Sequence, residues 1–170
     1  MNIRKATPAD LRQIMDIYAY AREQMRLLGN PGQWGEDRPS IEVIQNDIRS
    51  GCSYVITEPD TDRIAAVFAF IIGEEPSYRV IEQGCWLNQD AYGTIHRVAS
   101  SGTCKGVLRC CLAFCEPLVP NIRIDTHACN RIMQHLLESS GYQKCGRIYV
   151  EDGSPRIAYQ KQIRPAASGH

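Results

Sequence analysis

The sequence lacks several features that would assign a protein to a functional class at once. No apolar run approaches the ~20 residues that a membrane helix needs, and Met1–Asp10 carries charge without the apolar core of a signal peptide. A net charge is also absent, because 19 Lys and Arg balance 19 Asp and Glu. We therefore expect neither a nucleic-acid partner nor a membrane partner.

Cysteine pairs with metal-ligand spacing are missing as well. The eight cysteines include no C-x-x-C pair, so neither a zinc ribbon nor a thioredoxin-like site is supported. His127 and Cys129 are close in sequence, but without a second pair they are weak evidence for a metal site. We expect no metal, reduced cysteines packed as small apolar residues, and a cytoplasmic location. A metal or redox protein built on the cysteines is kept as an alternative hypothesis.

The length suits one compact domain. The chain has 170 residues, of which 44% are hydrophobic, and a chain of this size folds without a disulfide or a metal. Normal apolar content at zero net charge also excludes disorder as the main state. We expect a single domain over residues 1–162 and a flexible tail over residues 163–170.

The hydrophobic pattern alternates between strand and helix periodicity. Thr7 and Ser40 are suited to cap the first two helices, and the nearly wholly apolar run Ile64–Ile72 predicts a central strand covered on both faces. A mixed α/β fold with a single sheet follows from the order of the elements. The predicted strands are 2–6, 53–57, 63–72, 94–99, 122–126, 142–150 and 156–161, and the predicted helices are 7–29, 40–51, 107–116 and 130–140.

The most informative chemistry lies between the fourth predicted strand and the third predicted helix. There the strand runs into a loop of small residues, Ser100–Gly106, and the loop opens a helix at Val107. Such a junction directs backbone N–H groups and the positive helix end at one point, which suits a phosphate group. Gly106 lets the backbone come close to an anion and Lys105 adds a positive charge. A tight turn without a ligand is the alternative.

At these residues the chain resembles the GNAT superfamily of N-acetyltransferases. The acetyl-coenzyme A signature of that family, often written R-G-K-G-I-G-R-A-L-L, aligns without a gap with Thr103–Leu112. Thr103 replaces the Arg or Gln of the signature, and Leu108 replaces its final small residue. The residues that agree are Lys105, Gly106, Val107, Arg109 and Leu112.

Two further segments strengthen the resemblance. Asn130–Tyr142 is similar to the second signature, N-x-x-A-x-x-L-Y-x-x-x-G-F, with Leu137 at the tyrosine position, and Ile3–Asp10 is similar to the usual start of the family. The resemblance covers roughly the whole chain. It implies a GNAT-like α/β fold, a single mixed, mostly antiparallel sheet flanked by helices.

The resemblance also implies a function. An acetyl group would pass directly from acetyl-CoA, the cosubstrate, to a primary amine of a small molecule or peptide that the sequence does not identify. A non-catalytic acyl-CoA-binding regulatory module on the same fold is the alternative, and a homodimer is left open. The strand before the loop is expected to splay from its neighbour. The expected cofactor-binding residues are Val98, Ala99, Thr103, Cys104, Lys105, Gly106, Val107, Leu108 and Asn130.

Catalysis needs a neutral amine, so a base or a water chain must remove its proton. His127 and His96 are the candidates, because imidazole titrates near neutral pH. The tyrosine acid of the family is absent at Leu137. Large aromatic side chains in the predicted loops are candidate substrate contacts, with packing as the alternative for each; they are Trp34, Tyr78 and Trp86.

Overall fold

The computed structural model describes residues 1–163 and confirms the predicted order of elements. Its strands are β1 (Asn2–Lys5), β2 (Ser53–Thr57), β3 (Ile64–Ile72), β4 (Gly93–Ser100), β5 (Asn121–Thr126), β6 (Gln143–Tyr149) and β7 (Pro155–Gln162). Its helices are α1 (Leu11–Leu27), α2 (Ile41–Arg49), α3 (Val107–Cys115) and α4 (Arg131–Ser139). Short 3₁₀ turns cover Pro8–Asp10, Pro76–Tyr78 and Glu116–Leu118.

The seven strands form one sheet in the order β1-β2-β3-β4-β5-β7-β6. The β1–β2, β2–β3, β5–β7 and β6–β7 ladders are antiparallel, and the β4–β5 ladder is parallel. The predicted closing hairpin is present as β6 and β7, which meet around the turn at residues 150–154. The expected fold, a mixed and mostly antiparallel sheet flanked by helices, is confirmed.

The chain divides into two compact units. The first unit comprises Met1–Ile71 and Ile95–Cys111, and the second comprises Ile72–Thr94 and, among the described residues, 112–163. A single functional domain over residues 1–162 stays a prediction. The predicted tail lies outside the described residues except for Ile163, whose N–H donates to the Pro120 carbonyl at 2.7 Å.

The core of the first unit forms where α1 and α2 pack on β2 and β3. Every residue from Ile64 to Phe70 is buried, which confirms that β3 is covered on both faces. The helices contribute apolar side chains at helical spacing, and their burial is the main favourable term in holding this layer to the sheet. The cluster includes Ile14, Ile17, Tyr18, Ile44, Val55 and Val67.

In the second unit the long irregular segment 73–92 is fixed onto β6. Glu82 and Arg147 exchange backbone hydrogen bonds of 2.9 and 2.8 Å. A Cβ at Gly84 would collide with the Cys145 carbonyl, so the backbones approach closely only because residue 84 is glycine. The segment therefore has a defined structure, and its aromatic side chains form a core with β6 and β7. That core includes Tyr78, Trp86, Tyr92, Cys145, Ile148 and Ala158.

The cysteines are distributed differently from the expectation of core packing. Cys111, Cys115 and Cys145 are buried, whereas Cys85 and Cys129 are exposed. The expectation was wrong for the two exposed thiols, because both lie in irregular segments at the surface and not on an apolar face. All eight cysteines are free.

The first helix begins later than predicted. Thr7 precedes a 3₁₀ turn over Pro8–Asp10, and the α-helix starts at Leu11. Asp10 holds this junction together, because its carboxylate accepts from the Thr7 N–H at 2.8 Å and from the Arg4 guanidinium at 2.7 and 2.9 Å. The hydrogen bonds from Arg4 hold the pKa of Asp10 below its ordinary value.

This junction predicts a pH-dependent stability. The ionised Asp10 stabilises the fold above its unfolded pKa, roughly 4, and that contribution is lost as the pH falls through the lower folded pKa. Asp10→Asn should therefore cost about 1 kcal/mol of the free energy of unfolding at pH 7. Urea titrations of both proteins from pH 7 to pH 2 should show the difference shrinking with acid. A difference that stays constant over this range would contradict the role of the charge.

Candidate active site

The loop between β4 and α3, residues 101–106, leaves open space beside the start of the helix. Gly106 has φ +77°, and a Cβ built there would meet no described atom within 4 Å. Val107 and Leu108 are buried and fix the start of α3, while Lys105 and Gly106 are exposed. The first N–H groups of a helix have no partner within the helix, so those at the start of α3 need an acceptor from outside it.

Hydrogen bonds within the loop and to β3 order the same segment. The Ser101 N–H donates to the Ala65 carbonyl at 2.8 Å, and the Ser101 and Thr103 hydroxyls lie 2.8 Å apart. The Gly102 N–H donates to the Ser100 hydroxyl at 3.1 Å. A loop that is already ordered loses little conformational freedom when an anion binds. Among the predicted cofactor contacts, Thr103, Cys104 and Lys105 lie in this ordered loop, and Val107 and Leu108 begin the helix.

Arg97 places an irregularity in the middle of β4. Its φ is +55°, a left-handed backbone conformation that costs a non-glycine residue about 1–2 kcal/mol. Two contacts hold it there: its guanidinium donates to the Asp47 carboxylate twice at 2.9 Å, and its carbonyl accepts from the Tyr18 hydroxyl at 2.8 Å. Burial raises the pKa of Tyr18, so this hydroxyl keeps its proton.

The residues on either side of Arg97 are predicted site residues. Val98 and Ala99, the predicted pantetheine contacts, follow Arg97 directly, and His96 precedes it and is half-buried. Within the second unit, β4 pairs with β5 at Gly93–Ile122 and Thr94–Arg123. The cofactor role of Val98 and Ala99 and the expected splay of β4 stay predictions.

At the end of β5, His127 is held in one tautomer. The Cys129 N–H donates to Nδ1 of His127 at 3.0 Å, so the neutral ring carries its proton on Nε2. Burial, and then the positive charge of Arg156, lower the pKa of His127, which favours this neutral form. The ring therefore offers a hydrogen-bond donor at Nε2. A base role for His127 would need the other tautomer.

Asn130 lies just after His127 and begins α4. Its side-chain oxygen accepts from the Met133 N–H at 3.1 Å, which is the N-cap arrangement of a helix. Leu137, at the position of the family's tyrosine, is fully buried in the core. The structure thus gives Asn130 a structural task, and its cofactor role stays a prediction.

A pocket of about 560 Å³ lies in the second unit, and its wall includes two of the predicted substrate contacts, Tyr78 and Trp86. The Tyr78 hydroxyl donates to Asp125 at 2.7 Å, and the Trp86 indole N–H donates to the Tyr78 carbonyl at 2.9 Å. Arg123 and Tyr92 complete this part of the wall. The third predicted contact, Trp34, packs against the core of the first unit, where its ring meets Tyr18 edge-on at 5.5 Å between centroids.

Sequence reasoning missed Arg123 as a site residue. The alternation of Ile122 and Ile124 with Arg123 and Asp125 is typical of a strand with one solvent face, which gave no reason to choose the charged residues. In the structure the segment 73–92 covers that face and buries Arg123.

Metal clusters and membrane-spanning helices are both absent from residues 1–163. No three His, Cys, Asp or Glu side chains of this region come together in a way that could hold a metal ion. None of its helices combines the length and the apolar character needed to cross a bilayer.

Comparisons with known proteins give the family. No protein-family model matches the chain, and no curated protein matches it. Solved structures do match. An acetyltransferase of the GNAT family from Streptococcus agalactiae 2603 is 34% identical, with a TM-score of 0.84, over 97% of this chain and 96% of that one.

More distant structures share the fold. A GNAT-family acetyltransferase from Listeria monocytogenes 4b F2365 is 22% identical with a TM-score of 0.71, over 95% of this chain and 94% of that one. A chain of the NatC complex, solved with a Gag peptide and CoA, is 11% identical with a TM-score of 0.61, over 96% of this chain and 100% of that one. The identity, coverage and fold of the streptococcal relative show that this chain belongs to the GNAT family of acetyltransferases.

Proposed function

We propose that the protein transfers an acetyl group from acetyl-CoA directly to the primary amine of a small molecule or peptide. Membership of the GNAT family gives acyl transfer in general. The observation that supports acetyl-CoA as the donor is the ordered loop at the start of α3. Gly106 leaves room there for a close approach, and the helix end favours negative charge.

The predicted residues take specific roles in this proposal. N–H groups from Lys105 to Leu108 bind the pyrophosphate, and the backbone of Val98 and Ala99 binds the pantetheine arm. The loop fits a pyrophosphate because the space beside residue 106 is open and glycine places no side chain in it. Acetyl-CoA brings the thioester, and no metal is part of the proposal.

The transfer itself needs little from the protein. The amine nitrogen attacks the thioester carbonyl, the carbon–sulfur bond breaks, and the thiolate leaves as a good leaving group. His96 stays the candidate base for the amine proton. His127, with its proton on Nε2, is suited to donate a hydrogen bond to developing negative charge. No observation favours the non-catalytic alternative.

Two finer predictions accompany the proposal. A cytoplasmic location agrees with eight free cysteines, two of them exposed, since such thiols persist in a reducing compartment. A homodimer stays a prediction that sedimentation would test.

Heat stability in the presence of acetyl-CoA tests the proposed donor. A ligand at 100 times its Kd stabilises the folded state by about 2.7 kcal/mol, which raises Tm by roughly 5–10 °C for a chain of this size. Millimolar acetyl-CoA should produce such a shift, and the release of free coenzyme A thiol over a panel of amines should show turnover. An unchanged melting curve would refute the donor, and a shift without turnover on any amine would favour the regulatory alternative.

A further inference from the structure

Arg123 is held in an unusual position in the wall of the pocket described above. The residue is only 3% exposed, and its guanidinium lies 4.2 Å from the centre of the Trp86 ring and 4.0 Å from that of Tyr92. One terminal nitrogen donates to the Asn88 carbonyl at 2.9 Å. Two aromatic faces and one carbonyl thus fix the orientation of the guanidinium plane.

The charge of Arg123 is not neutralised by the protein. Within residues 1–163 no carboxylate forms an ion pair with it, and its buried Nε has no hydrogen-bond acceptor. By contrast, the guanidinium of Arg97 forms an ion pair with the buried carboxylate of Asp47. A buried guanidinium without a counter-ion is destabilising, so an anion that reaches it would gain a strong charge-assisted hydrogen bond.

The rest of the pocket limits what that anion can be. A volume of about 560 Å³ and a wall that includes Tyr78, Trp86 and Tyr92 suit a small organic molecule. Its acidic residues, Glu74 and Asp90, are exposed, and Glu74 is paired with Arg79 at 2.7 Å. With Glu74 neutralised by Arg79, one buried cation and one exposed carboxylate remain, which favours a singly charged group over a doubly charged phosphate.

We propose that this pocket binds the carboxylate of the acceptor, so that the amine to be acetylated belongs to a small amino carboxylic acid. Arg123 binds the carboxylate, and the aromatic wall packs against the apolar part of the molecule. This assignment rests on the proposed function, since it names the substrate class of the same enzyme. A purely structural role, in which Arg123 only fastens the segment 73–92 to β5, is the competing outcome.

The test compares free amino acids with their amides as acceptors. The acid and the amide of a pair share the side chain but differ in the pKa of the amine, so the contact with Arg123 is measured by how the ratio of kcat/KM for acid and amide changes between the wild type and a variant. We expect Arg123→Gln to lower this ratio by about 10- to 100-fold relative to the wild type, the range that a charged hydrogen bond provides. Arg123→Lys should lower it less.

The ratio is unaffected by partial unfolding, because a loss of folded protein lowers both rates equally. Arg79→Gln is the matched control: it removes a cation from the same pocket, but an exposed one that is already paired, so the ratio should stay close to its wild-type value. A ratio unchanged by Arg123→Gln, or no turnover of any acid, would overturn the proposal.

Coenzyme A binding, measured by calorimetry on the same samples, separates a failure of the proposed donor from a failure of the proposed substrate class. Binding of coenzyme A together with an acid-to-amide ratio that does not depend on Arg123 refutes only the substrate class. Absence of binding refutes the proposed donor, and titration of the free amino acids and their amides into the protein then tests the pocket directly. Acids that bind no better than amides in that titration would overturn the assignment of Arg123.

Discussion

Replacing Gly106 by aspartate is expected to weaken coenzyme A binding by at least about 100-fold. The substitution places a negative charge beside the pyrophosphate, and a repulsion of about 3 kcal/mol between charges a few ångströms apart near a surface corresponds to that loss. It also adds side-chain atoms where the backbone must approach the ligand. Calorimetric titration gives the affinity, and circular dichroism confirms that the variant is folded.

Gly106→Asn is the matched control for this experiment. Asparagine has nearly the same size and the same tolerance of a φ of +77°, but no charge. In the absence of ligand the aspartate variant should be at least as stable as the asparagine variant, because acidic residues are favoured at a helix N-terminus. The order of stability and the order of affinity are therefore opposite, which a folding defect would not produce.

Salt provides a second check on the same pair. The difference in affinity between the aspartate and asparagine variants should shrink as the salt concentration rises, since screening weakens exposed charges. Wild-type affinity in a folded Gly106→Asp protein would show that the loop is only a turn. The proposal of acetyl-CoA as the donor would then lose its main physical support.

The sequence predicted the elements well because their signals are local. An apolar run as long as that of β3 has few alternatives to a buried strand, and Ser40 caps α2 as its side chain suggested. The loop before α3 was also predictable, because small residues before a helix and a glycine at position 106 are a local pattern; its binding of an anion stays a prediction.

The pocket could not be predicted in the same way. Arg123 is buried only because the segment 73–92 folds over its face of the sheet, and the contacts of that segment with β6 join residues far apart in sequence. Local alternation of charged and apolar residues indicates two faces and does not say what covers them. The tautomer of His127 likewise depends on the position of the Cys129 N–H, which the sequence does not specify.

Arg97 is the other feature without a sequence signal, and it gives the largest expected effects on stability. Removing Asp47, whose side chain is 7% exposed, leaves the guanidinium without its partner. Because the Arg97 side chain is itself 22% exposed, Asp47→Ala should cost about 2 kcal/mol, less than the loss for a fully buried pair. Chemical unfolding of Asp47→Ala, Arg97→Ala and the double variant should show a coupling free energy of similar size between the two side chains.

The backbone of Arg97 makes a sharper prediction. Arg97→Ala and Arg97→Gly both remove the pair with Asp47, but only glycine relieves the cost of the φ of +55°. Arg97→Gly should therefore be more stable than Arg97→Ala by about 1 kcal/mol, the reverse of the usual order in a strand. The glycine variant should nevertheless bind coenzyme A more weakly than wild type, because a freer backbone no longer fixes Val98 and Ala99. Unfolding titrations and calorimetry measure both quantities, and an alanine variant more stable than the glycine variant would show that Arg97 carries no strain.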